Sequence, residues 1–353
     1  MERQVIRYSF QPGPAQLYPE IAHHIQEALN EGLLSRYHRD PVWKDLYRSA
    51  QEAVKTFLKL PADWLVLFVS SATEAWQILI DATTESPSLH FVQGAFGERW
   101  HTLQKNASSF AFAHPVDENL PWSEQIETTS QKYAGVAFVG AVHVETSRGA
   151  FLPDLRALRE AFPSALIAID ATSSLGGLEL PWEAGDIWFA SVQKCLGLPP
   201  GLAVMILSPA AEKRYKEYPR LRYNTLSYLI EKAQVHEPPY TPNLLGIYLL
   251  ARSLLDRPSL NTIHQHLETR SRHLYQALGE KGYVLPVPEA YRAPTVILGA
   301  WKDAKEASEK TKKLEKEGLY LGRGYGKENQ THFRIANFPA LPDEAYEELL
   351  MRF

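Results

Sequence analysis

The sequence predicts an α/β protein, with a large, mostly parallel sheet and a small α+β domain at the C-terminal end. Three observations carry that expectation. Short apolar runs recur at 65–71 (LVLFVSS), 88–94 (SLHFVQG), 134–144 (AGVAFVGAVHV), 166–169 (LIAI), 187–192 (IWFASV) and 202–207 (LAVMIL). Runs of this kind, apolar throughout rather than alternating, read as strands buried on both faces. Several are followed by small-residue turns and helical stretches, the rhythm of strand–helix–strand units. Beyond Leu244 the pattern changes to a long helical region and then strands interleaved with a Lys/Glu-rich helix. A chain of 353 residues, 45% of them hydrophobic, can bury a large core and form two structural parts. The expected division is an arm at 1–14, a large domain at 15–245 and a small domain at 246–353.

Composition excludes several function classes. The net charge of −4 is too small to argue for nucleic acid or an anionic membrane. The single cysteine, Cys195, allows no intrachain disulfide. No apolar run approaches the roughly 20 residues of a membrane helix, and MERQVIRYSFQPGPA lacks a signal-peptide layout. A cytoplasmic enzyme without a metal is expected.

Taken in order, Ser9 to Pro19 (SFQPGPAQLYP) is an irregular Gly-Pro loop leading to a helix near 19–32. Ser35 to Tyr47 (SRYHRDPVWKDLY) opens a helix reaching about Leu58. Its basic pair, His38 and Arg39, could grip a carboxylate or phosphate, or could simply be solvated. The strand at 65–71 runs into Ser71-Ala72-Thr73-Glu74 and a helix to about Thr83. Free N–H groups and the positive end of the helix dipole make that turn an anion site, and Ser71 is equally a plain N-cap. The strand at 88–94 is followed by Phe96. The run at 134–144 ends in His143-Val144-Glu145-Thr146-Ser147-Arg148-Gly149. A helix over 153–161 precedes the strand at 166–169, which delivers Asp170.

Asp170 and Lys194 both stand where strands stop, and ligands of parallel sheets gather at strand carboxyl ends. A lysine there can form an imine with an aldehyde cofactor. An aspartate can hold a pyridine nitrogen protonated, so that the ring draws electrons from a carbanion. On the Asp and Lys alone, ordinary strand ends are the commoner meaning. The run at 202–207 is expected to close the large sheet. Tyr240-Thr241-Pro242 suggests a helix start with Thr241 as N-cap, and the helical region runs from Leu244 to about Lys281. Strands at 295–301 and 331–337 and helices at 304–318 and 342–352 complete the small domain. Arg334, between Phe333 and Ile335, is a poor surface pattern unless it faces a cleft.

The words Ala168-Ile169-Asp170-Ala171-Thr172-Ser173-Ser174 and Ser191-Val192-Gln193-Lys194-Cys195-Leu196-Gly197 resemble class V aminotransferases, fold type I enzymes dependent on pyridoxal 5′-phosphate. His143-x-Glu145-Thr146-Ser147-x-Gly149 and Phe333-Arg334-Ile335-Ala336-Asn337-Phe338 resemble further words of that family, and the resemblance spans nearly the whole chain. The phosphoserine and alanine–glyoxylate aminotransferase branch is the most similar. The resemblance implies that Lys194 and Asp170 are catalytic, with Lys194 bonded to the cofactor and Asp170 at its ring nitrogen. It implies a cofactor phosphate held by Ser71, Ala72, Thr73 and Gln193, a ring stacked on Phe96, and a contact from Thr146. Thr241 would reach the phosphate in the neighbouring subunit of a homodimer with shared active sites. His38 and Arg39 would lie near a substrate phosphate, and Arg334 would take the α-carboxylate. The Gly-Pro loop would lie beside the substrate.

The branch remains open. His38, Arg39, the Thr-Pro segment and overall length favour transfer from phosphoserine to 2-oxoglutarate in serine biosynthesis. Ala72-Thr73-Glu74-Ala75 and the Arg-Ile-Ala-Asn ending favour an alanine– or serine–glyoxylate type. Gly322-Arg323-Gly324-Tyr325-Gly326-Lys327 replaces the His-Arg pair of the well-known phosphoserine enzymes. A cysteine desulfurase has no second cysteine to use here, and a non-catalytic binding protein would leave Lys194 idle.

Overall fold

The computed structural model describes residues 5–217 and 224–353. After β1 (Tyr8–Phe10), α1 (Ile21–Asn30) and α2 (Pro41–Leu58), the chain runs through β2 (Leu65–Val69), α3 (Ala72–Thr83), β3 (Ser88–Val92), α4 (Ala95–Ala107), β4 (Ala111–Pro115), α5 (Trp122–Lys132) and β5 (Phe138–Val142). The hairpin of β6 (Val144–Glu145) and β7 (Ala150–Phe151) precedes α6 (Arg156–Ala161), β8 (Leu166–Asp170), β9 (Ile187–Ser191) and β10 (Ala203–Leu207). Then come α7 (Pro209–Glu217), α8 (Leu226–Gln234), α9 (Leu244–Ser253), α10 (Leu260–Glu280), β11 (Val296–Ala300), α11 (Ala304–Lys316), β12 (Leu319–Arg323), β13 (His332–Ala336) and α12 (Asp343–Leu350).

The large sheet has the order β2-β10-β9-β8-β5-β3-β4. Only β10 runs antiparallel to its neighbours. The continuous apolar runs are explained by burial on both faces. Val66, Phe68, Leu89, Phe91, Val139, Ile167, Ile169, Trp188 and Val204 point into one core, together with side chains of α1, α2 and α9. Their alternate neighbours Leu67, Val69, Phe138, Ala168, Phe189 and Met205 point into a second core, shared with α3 and α8. The small sheet has the order β1-β12-β13-β11 and its own core around Phe10, Ile297, Leu319, Phe333 and Tyr346.

Four expectations are corrected. The run at 202–207 does not close the sheet: β10 lies between β2 and β9, because the Gly197–Gly201 turn sends it back antiparallel beside β9, and β2 is the edge. Within the expected arm, Tyr8 to Phe10 form a strand paired with β12, and Phe10 is fully buried in the small core. The helical region after Leu244 is two helices, broken before Pro258 and restarted by Ser259, whose Oγ accepts from the Thr262 N–H at 3.2 Å. The cap at its start is Asn243, whose Oδ1 accepts from the Gly246 N–H at 2.8 Å, not Thr241. Since α9 packs on α1 and α2 within the large core, we propose that the division falls near the start of α10 rather than at 245/246.

Candidate active site

Strand register brings the acid and the amine together. Asp170 is the last residue of β8, opposite Val142 of β5 and Phe189 of β9, and Lys194 follows three residues after β9 ends. Both are more than nine-tenths buried. The Lys194 amine donates to Thr146 Oγ1 at 2.6 Å and to Ser173 Oγ at 2.8 Å, and those two hydroxyls lie 2.6 Å apart. Burial pulls the amine down to about 8, against the opposing pull of the Asp170 and Glu145 carboxylates. An amine in that range changes protonation state near neutral pH, as a proton-transfer group must. Asp170 accepts from the Thr172 N–H on Oδ1 and from the Trp76 indole N–H on Oδ2, each at 2.9 Å. Its pKa is raised, because burial outweighs these donors.

Two helix starts converge on this pair. Ser71 caps α3, its Oγ accepting from the Glu74 N–H at 3.1 Å, and the Glu74 carboxylate reaches back to the Ser70 N–H at 2.6 Å. The Ala72 N–H donates to Ser191 Oγ at 2.8 Å, and Ala72 and Thr73 open onto the cavity. At α4, one oxygen of the fully buried Glu145 carboxylate accepts from the Phe96 and Gly97 N–H groups at 3.1 Å each. The other accepts from the Ser147 N–H at 3.0 Å. The carboxylate thus fixes where Phe96 sits, and the Lys194 nitrogen lies 5.5 Å from the Phe96 ring centroid. Gly94 is required just before this helix. A Cβ there would lie 2.6 Å from Glu145 Cγ.

The opposite wall comes from the small sheet and the N-terminal loop. Arg334 on β13 donates from Nε to the Arg323 carbonyl at 2.7 Å and from Nη1 to the Thr146 carbonyl at 2.9 Å. Tyr325 places its ring 5.7 Å from the Arg334 guanidinium and 5.7 Å from the Phe96 ring. Gln11 to Pro14 lie across the lysine. Gly13 has a φ of +148°, and a Cβ on it would come 3.3 Å from Lys194 Cε, so the loop's close approach depends on glycine.

These parts enclose a cavity of about 570 Å³. It gathers Ala72, Thr73, Phe96, Thr146, Asp170, Gln193, Lys194 and Arg334 of the residues expected from sequence. Ser71, His38, Arg39 and Thr241 do not line it. His38 and Thr241 instead meet each other at 3.3 Å. Several contributors were not among the expected site residues, and Trp76, Thr172 and Ser173 lie nearest the acid–amine pair. Ser173 and Thr172 lie inside the recognised word, while Trp76 shares a helix face with Ala72, the one signal that could have marked it.

Pyridoxal 5′-phosphate fits this donor set. A buried amine and a buried carboxylate line one cavity, a helix start opens beside them, and an aromatic ring lies against the amine. Gln193 lines the same cavity with a buried side-chain oxygen that has no hydrogen-bond partner among the described residues, an amide end open to a ligand or, once flipped, a donor to a phosphate.

The family model for class-V aminotransferases matches residues 7–324. A phosphoserine aminotransferase from Rhodococcus jostii is 26% identical over 348 residues, covering 96% of this chain and 91% of that protein. An L-aspartate–glyoxylate aminotransferase from Paracoccus denitrificans is 27% identical, covering 95% and 87%. The crystal structure of a phosphoserine aminotransferase from Cytophaga hutchinsonii superposes with a TM-score of 0.88 at 31% identity, covering 98% of this chain and 97% of that one. Together with the sheet order and the convergence on Lys194, these matches place the chain in the class-V aminotransferase family, as a pyridoxal-phosphate-dependent transaminase of fold type I.

Proposed function

We propose that this transaminase moves the amino group of phosphoserine to 2-oxoglutarate, a step of serine biosynthesis, in the cytoplasm. The observation that carries the reading is the charge of the cavity. With Lys194 committed to the cofactor, its lining still holds two arginines, Arg323 and Arg334, and a single carboxylate, Asp170. A substrate bearing both a carboxylate and a phosphate answers that excess. The names of the relatives from Rhodococcus and Cytophaga support the same reading.

Pyridoxal 5′-phosphate, when bound, supplies an aldehyde for amine exchange and a ring that accepts electrons from the substrate α-carbon. Lys194 would hold it covalently, Ala72, Thr73 and Gln193 would hold its phosphate, and Phe96 would lie on its ring. Asp170 keeps a proton at the ring nitrogen. Arg334 orients the α-carboxylate, so that the α-carbon proton faces the lysine. The Lys194 amine would be the general base and acid for the α-carbon proton. Thr146 and Ser173 steady the amine in that role, and burial of the site excludes water. The two half-reactions imply ping-pong kinetics.

The site is proposed to be completed by a second copy of the chain. His38, Arg39 and Thr241 lie outside the chain's own cavity, and Leu29, Tyr37, Val42 and Leu255 are large apolar side chains left exposed, Val42 and Leu255 beside one another in one surface hollow. That much exposed apolar surface suits an interface. Across it the three residues would reach the partner's substrate and cofactor phosphates.

An amino-acid–glyoxylate transaminase is the second reading, favoured by the Ala72-Thr73-Glu74-Ala75 turn and by the relative from Paracoccus. A half-reaction screen separates the two. Cofactor-loaded protein is mixed with single amino acids while its visible absorption band is followed. Bleaching by phosphoserine, with little from alanine, serine or aspartate, is the expected result. Bleaching by one of those three and not by phosphoserine overturns it in favour of the glyoxylate reading.

A further inference from the structure

Asp170 is held by a residue that lies outside the motifs read above. Trp76 sits on the second turn of α3, one turn beyond Ala72, and is 2% exposed. Its indole N–H is the only side-chain donor that reaches Asp170 Oδ2 among the described hydrogen bonds, at 2.9 Å. The ring that carries this donor is not free to turn. It stacks on Trp100 with centroids 6.0 Å apart and an interplanar angle of 8°, and Trp100 is itself wedged edge-on against Phe189, Phe138 and His90. The apolar packing of the second core therefore aims a single donor at a single carboxylate oxygen. The Thr172 N–H donates to the other oxygen at 2.9 Å and the Thr172 side chain adds a further hydrogen bond to the carboxylate, so Asp170 is held from two elements, the turn after its own strand and α3.

A carboxylate buried this deeply favours its neutral form unless donors stabilise the charge. Resting on the reading that Asp170 holds the ring-nitrogen proton, we propose that Trp76 is the positioning residue that keeps Asp170 ionised and oriented for that task. The logic is a competition for one proton between a carboxylate and a pyridine nitrogen. Each hydrogen bond donated to the carboxylate favours the state in which the proton rests on the ring, where it makes the ring an electron sink. Without the indole donor, Oδ2 loses its protein hydrogen bond, the carboxylate becomes a better proton acceptor, and the shared proton is drawn toward Asp170. Trp76 makes no described hydrogen bond to Lys194, and it borders the cavity beside the aspartate that it holds.

The test is the nitrogen-15 chemical shift of the ring nitrogen in protein loaded with labelled pyridoxal 5′-phosphate. It is read for the wild type, for Trp76→Phe, and for the protein carrying 3-benzothienylalanine at position 76. The last keeps the bicyclic stack on Trp100 and lacks only the donor, so it remains informative where Trp76→Phe disturbs packing. The expected result is a protonated-range shift in the wild type, displaced toward the unprotonated range in both variants, with cofactor affinity lower by about tenfold. A protonated-range shift in all three overturns the role of Trp76 and leaves that of Asp170 standing. An unprotonated ring in the wild type overturns both.

Discussion

The two walls of the cavity are built by different means. The lysine wall consists of strand ends and helix starts of the large sheet. Asp170, Thr146, Ser173 and Lys194 are all buried, and each has its hydrogen bonds inside the protein. The arginine wall consists of β13 and the loop after β12. Tyr325 there is 43% exposed, and Arg334 holds its place through two backbone carbonyls. The loop is tied back to the large domain by Arg148, which pairs with both Glu118 and Glu328. The contrast separates two tasks. Proton transfer depends on pKa values shifted by burial, and only a dry, packed wall supplies them. Substrate choice depends on charge and shape at a surface that must open to admit the substrate, and a loop supplies those.

The difference can be broken most forcefully at Lys194. Lys194→Met replaces the amine with an apolar chain, leaving Thr146 and Ser173 to pair with each other. In the wild-type apoprotein the amine titrates at about 8 when folded and near 10.5 when unfolded. Below the folded value the penalty for the buried charge is fully present. Between the two values the unfolded state binds more protons, so wild-type stability rises with pH. The apo variant is therefore expected to exceed the wild type by about 3 kcal/mol at neutral pH. The gap should close above pH 8 in denaturant titrations. A gap that stays constant with pH would mean that the lysine wall is not dry.

Arg334→Ala probes the other wall and should act on binding rather than on protons. Loss of a charge-assisted clamp is expected to raise the amino-acid KM by tens of fold, roughly the worth of a hydrogen bond between charged groups, with a smaller change in kcat. If steady-state kinetics are unchanged and only the melting temperature falls, Arg334 is a structural tie between Arg323 and Thr146. Tyr325→Ala should have the smallest effect. It removes an exposed ring over the guanidinium and should lower kcat/KM about threefold, in line with an exposed cation–π contact. A loss as large as that of Arg334→Ala would show that the loop does more than shield the arginine.

The lysine wall is the more legible of the two in the sequence, for a physical reason. Strands buried on both faces leave uninterrupted apolar runs, and the first polar residue after such a run, as in Leu166 to Asp170, stands at the strand end. Arg334 is legible by the same contrast, a charge set between two residues of the small core. The remainder of the arginine wall depends on contacts between parts distant in sequence. Gly13 approaches Lys194 because Tyr8 to Phe10 join the small sheet, and a three-residue strand carries too little periodicity to announce itself. The edge strand β4 (AFAHP) is partly exposed and ends in proline, and β12 contains a glycine, so neither follows the buried-run pattern. Trp76 is hidden by its own success as a core residue. A tryptophan on a buried helix face reads as packing, and only its nitrogen distinguishes it.

The buried amine of Lys194 is expected to be the group that takes the cofactor. Reduction of the cofactor-loaded protein with borohydride, followed by peptide mapping, tests it directly. The expected result is a stable modification confined to the peptide containing Lys194 and absent from Lys194→Ala. No modification of the reconstituted protein, or one carried by another lysine such as Lys327, would contradict it.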